Sequence, residues 1–77
     1  MDRAERLYEA KQLQEEGLEL SRRRRWRLAL EKFKEALEIV REINEGKTQA
    51  DILVDMGITV SRLREKNIGS QQRIFLL

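Results

Sequence analysis

An all-α fold is predicted from three features of this sequence. Proline is absent and only four glycines occur in 77 residues. The chain is dense in Glu, Lys, Arg, Leu, Ala and Gln, the strong helix formers. Its apolar side chains recur three and four positions apart, the spacing that lines one face of a helix. A chain this short forms one domain and buries only about 60% of its unfolded surface. Domains of roughly 70–80 residues or fewer usually need disulfides, a metal or association for support. Cysteine and histidine are both absent, which removes disulfides, thiolate chemistry, zinc fingers and imidazole bases together. Oligomerisation or a partner is the support that remains.

The first helix is expected from about Asp2 to Leu20. Asp2 followed by Glu5 has the form of a capping box, and Ala4, Leu7, Ala10, Leu13, Gly17 and Leu20 follow at helical spacing. Ser21–Arg25 breaks that rhythm with polar and basic residues, which predicts a tight turn. A second helix starts at Trp26, with Ala29, Leu30, Phe33, Ala36, Leu37, Val40 and Ile43 on one broad stripe. Asn44-Glu45-Gly46 is its stop signal, with Gly46 suited to a left-handed cap. Thr48 with Asp51 offers the next N-cap, and Ala50, Leu53, Val54, Gly57, Val60 and Leu63 predict a third helix from about Gln49 to Arg64. Ile52, Val54, Ile58, Thr59 and Val60 are β-branched, so this helix depends on packing. Asn67 and Gly69 then interrupt the pattern. The expected organisation is a helical domain over 1–66 and an irregular or short helical apolar tail over 67–77.

Leu13, Gly17 and Leu20 align with Leu53, Gly57 and Val60 at a period of 40 residues, and self-similarity of this kind is the mark of a solenoid. Leu13, Gly17 and Leu20 on the first helix, with Trp26, Ala29, Phe33 and Ala36 on the second, resemble the tetratricopeptide repeat family. The resemblance covers about residues 10–65 and one and a half repeats. Its long period is similar to the longer-helix members, and its second unit has Lys66, Gly69, Arg73 and Leu76 where a second helix would place aromatic and alanine residues. It implies an antiparallel helix hairpin plus a third helix, a fragment of an α-solenoid, with small Gly17 and Ala29 at a close helix contact. It also implies a protein-binding scaffold. The family's carboxylate clamp is not carried over, since Gln14, Leu18 and Asp55 occupy its positions. That leaves a shallow groove lined by Gln14, Leu18, Ser21, Val54, Ile58 and Ser61.

Repeat arrays normally need about three units and polar caps, and an incomplete solenoid end leaves an apolar side uncovered, the usual mark of an interface. The expected interface comprises Ile52, Met56, Ile58 and Val60 with the tail residues Ile74, Phe75, Leu76 and Leu77. Two copies associating about a two-fold axis, with or without a swap at the Asn44–Lys47 hinge, is one arrangement. A monomer whose tail folds over the third helix is the other.

Sixteen basic and fourteen acidic side chains leave a net charge of +2, too little for a strong long-range field. The local exception is Arg22, Arg23, Arg24, Arg25 and Arg27 beside Trp26, which suits phosphates and a stacked base. An anionic or nucleic-acid partner is therefore the alternative to self-association, while the nearby Glu15, Glu16, Glu19 and Glu31 suit a solvated turn. Ser21, Ser61 and Ser70 lack a histidine partner, and no phosphate-cradling loop or calcium-loop spacing occurs. Neither catalysis nor a cofactor or metal is expected. With no apolar run near the roughly 20 residues of a membrane span and no signal-peptide core, a cytoplasmic location is expected.

Overall fold

Three helices in chain order make up the computed structural model, which describes the backbone of residues 2–76 and the side chains of residues 2–66. They are α1 (Arg3–Arg22), α2 (Trp26–Glu42) and α3 (Gly46–Leu76). The fold is all-α, with no strand among the described residues. Asp2 caps α1 by accepting a hydrogen bond from the Ala4 amide at 3.4 Å. A carboxylate there also complements the helix dipole.

Both connections are three-residue turns of one design. At the end of α1, Arg25 N–H donates to Leu20 O and Arg24 N–H to Ser21 O. At the end of α2, Glu45 N–H donates to Val40 O and Asn44 N–H to Arg41 O. These are Schellman motifs, which satisfy the last carbonyls by putting one residue in the left-handed region. Arg24 (φ 63°) and Asn44 (φ 54°) take that position. The left-handed residue of the second turn is thus Asn44 and not Gly46, which opens α3 instead. An arginine at φ 63° carries a steric cost that glycine avoids. Arg24→Gly is expected to stabilise the chain by up to about 1 kcal/mol, read as a higher melting temperature in circular dichroism.

α1 and α2 form the antiparallel hairpin. The start of α1 meets the end of α2, where the Arg3 guanidinium donates to Ile43 O at 2.8 and 3.0 Å. Arg6 pairs with Glu42 at 2.6 Å, and that hydrogen bond is the main reason the guanidinium holds its proton more tightly than usual. α2 lies between the other two helices and buries Ala29, Phe33, Ala36, Leu37, Ile39 and Val40. The core adds Ala10 from α1 and Ile52 from α3, with Leu13, Leu18, Leu20 and Met56 around it. Gly17 faces the Phe33 ring so closely that a Cβ there would lie 2.5 Å from Phe33 Cε1. The small residue expected at the close helix contact is therefore necessary. Trp26, by contrast, is only half-buried at the first turn of α2.

α3 starts earlier and runs further than its periodicity predicts. Gln49 N–H bonds to Glu45 O, so Thr48 lies inside the first turn, buried, rather than serving as the N-cap. The backbone continues as helix through Asn67 and Gly69 to Leu76, beyond the boundary expected after residue 66.

Candidate functional site

α3 has two stripes. The face against α2 and α1 carries Thr48, Ile52, Met56, Thr59 and Leu63, of which Ile52 and Thr59 are almost wholly buried. Thr59 fits there because its hydroxyl donates to Asp55 O at 2.8 Å and lies 3.2 Å from Ser21 Oγ. The opposite face carries Ala50, Leu53, Val54, Gly57, Ile58 and Ser61, all exposed. Val54 is 60% and Ile58 55% exposed, and a Cβ on Gly57 would meet nothing within 4 Å.

The exposed stripe repeats the stripe that α1 turns toward α2. Ala10, Leu13, Gly17, Leu18 and Ser21 stand 40 positions before Ala50, Leu53, Gly57, Ile58 and Ser61. In α1 these residues are buried or partly buried within the bundle, whereas in α3 the same pattern lies open. α3 docks on α2 through its other face.

The expected interface residues therefore separate. Ile52 is fully buried and Met56 packs on the core, so neither belongs to the free surface. Ile58 and Val60 are exposed. Leu53 and Val54, which sequence periodicity places on the packed side of this helix, belong beside them on the open face. The side chains of Ile74, Phe75, Leu76 and Leu77 lie outside the described residues.

Of the expected groove, Gln14 donates to Asp55 at 3.0 Å and Ser21 meets Thr59. Both polar groups thus tie α1 to α3. Leu18 packs on the core, while Val54 and Ser61 are exposed.

The arginine run wraps the first turn. Arg22 and Arg23 both pair with Glu19, at 3.1 and 3.2 Å. Among the described residues Arg24, Arg25 and Arg27 make no ion pair. A hollow of about 710 Å³ opens between this turn and α3, lined by Ser21, Arg22, Arg24, Trp26, Arg62, Glu65 and Lys66. A second of about 280 Å³ adjoins it, sharing Arg24, Trp26 and Lys66 and adding Arg25, Arg27, Leu28 and Leu63. Arg62 and Lys66 join this cluster only through the fold, since they stand far from the arginine run in the chain.

No group of three or more acidic side chains among the described residues is placed to hold a metal ion, and no described helix is long and apolar enough to cross a membrane. No family model, curated protein or solved structure matches this chain.

Proposed function

We propose that this chain is a non-catalytic protein–protein interaction module of the tetratricopeptide type, and that it self-associates through the open face of α3. The observation that carries this reading is the repeated stripe: the pattern that the bundle covers on α1 recurs uncovered on α3. An apolar helix face of this kind gains stability when removed from water.

The occupant is a second copy of α3, running antiparallel about a two-fold axis. The stripe matches itself in that orientation, with Ala50 opposite Ser61, Leu53 opposite Ile58 and Val54 opposite Gly57. Leu53 and Ile58 thus meet as an apolar pair, Val54 lies over the small Gly57, and small Ala50 and Ser61 let the ends of the stripe approach closely. Charge favours the same direction, since Asp51 and Arg62 lie along one flank and an antiparallel partner sets each against the other. Small chains commonly add the core they lack by such association.

Light scattering coupled to size exclusion tests the reading over a hundredfold dilution. The native chain is expected to show a dimer mass that falls on dilution. Val54→Asp with Ile58→Asp is expected to weaken association roughly tenfold or more. Both positions are exposed in the isolated chain, so circular dichroism should show its helices unchanged. A native chain that stays monomeric at every concentration would sink the proposal.

A further inference from the structure

We propose that the cleft between the Arg22–Arg27 turn and α3 is a binding site for single-stranded nucleic acid. Phosphates would be held by Arg22, Arg24, Arg62 and Lys66, with a base stacked on Trp26. The proposal is independent of self-association, because it uses the end of the bundle and not the apolar stripe.

Charge is the first support. Arg22, Arg23, Arg24, Arg25, Arg27, Arg62 and Lys66 gather at this end against Glu19 and Glu65. A chain almost neutral as a whole therefore carries one concentrated positive region. All but one of these cations are arginines, whose planar forks match phosphate oxygens two at a time.

Shape is the second. The two hollows share Arg24, Trp26 and Lys66, so they adjoin at the indole, and the proposed strand runs from one to the other past it. Cations along a track with an aromatic face beside it suit a flexible polyanion bearing flat bases. A compact anion would leave most of the roughly 710 Å³ hollow unfilled. The third support is contribution from two elements. Arg62 lies 36 residues beyond Trp26 in sequence yet lines the same hollow, so folding assembles this site from parts.

Trp26 is the only tryptophan, and its fluorescence reports the site directly. Titration with a labelled oligothymidylate at about 50 mM salt is expected to raise anisotropy and quench Trp26 together. The logarithm of affinity should fall with that of salt by about 0.7 per phosphate contact. Arg62→Gln and Arg27→Gln are each expected to weaken binding roughly three- to tenfold, whereas Lys47→Gln, at the far end of α3, should leave it unchanged. Absence of binding at low salt, binding without quenching, or equal affinity for Arg62→Gln and the native chain would each overturn the proposal. So would a polyglutamate peptide that binds as tightly with the same quenching, since the cleft would then be a site for acidic protein segments.

Discussion

Phe33→Ala is expected to leave the chain largely unfolded at room temperature. Phe33 is the largest fully buried side chain among the described residues, and its ring fills the contact between α1 and α2 against Gly17. Truncating a buried phenylalanine costs about 3–5 kcal/mol, the lost transfer energy plus that of the cavity left behind. A core of this size supplies about 3–5 kcal/mol in total. The two are comparable, so the folded state loses its advantage. The far-UV circular dichroism of the variant should approach that of an unstructured peptide. A cooperative melt near that of the native chain would show that Phe33 is not the keystone of the hairpin.

The second large effect is a difference of sign between two glycines in equivalent repeat positions. Replacing a mid-helix glycine by alanine gains up to about 1 kcal/mol of helix propensity. At Gly57 nothing opposes that gain, because the space beyond it is open. Gly57→Ala is therefore expected to raise the melting temperature by about 4–8 °C at dilutions where the chain is monomeric. At Gly17 the new methyl would sit 2.5, 2.7 and 2.9 Å from three ring atoms of Phe33. That ring is fully buried. Overpacking of this kind costs about 1–3 kcal/mol, which outweighs the propensity gain, so Gly17→Ala should lower the melting temperature. Equal shifts in the two variants would mean that the α1–α2 contact is looser than the ring distance indicates.

Much of the fold can be read from the residues. The starts of α1 and α2, the turn between them and the Gly17 contact follow from a capping aspartate, a break in apolar rhythm and a small residue opposite an aromatic. The turns were harder. A Schellman motif needs one residue with positive φ, and glycine is the usual occupant. Nothing local marks Arg24 for that role, and Asn44 competes with a glycine two positions later.

α3 shows where periodicity fails for a physical reason. It carries two stripes at helical spacing, and the more apolar of them copies the packed face of α1. Repeat logic places that stripe inside and assigns Ile52 to the free side. The structure does the opposite: α2 offers its second face to Ile52 and to two threonines, Thr48 and Thr59, whose polarity conceals them from a hydrophobicity pattern. The hydroxyl of Thr59 is accommodated by the Asp55 carbonyl. The basic cleft was half legible. Five arginines in six positions are conspicuous in sequence, but the contribution of Arg62 and Lys66 depends on how α3 crosses the turn.

α1 and α3 are joined mainly through α2, and among the described residues the Gln14–Asp55 and Ser21–Thr59 hydrogen bonds tie them to each other directly. Packing among the described residues is chiefly between helices adjacent in the chain, so little loop entropy must be spent before packing begins, and such topologies fold on the microsecond-to-millisecond scale. The same arrangement makes cooperativity directional. α3 is expected to detach before the α1–α2 hairpin opens, whereas loss of α2 removes the core that both other helices share. Native-state amide exchange should therefore release α3 first and the Phe33 region last, so the helix that bears the open face is also the one that most readily exchanges one neighbour for another.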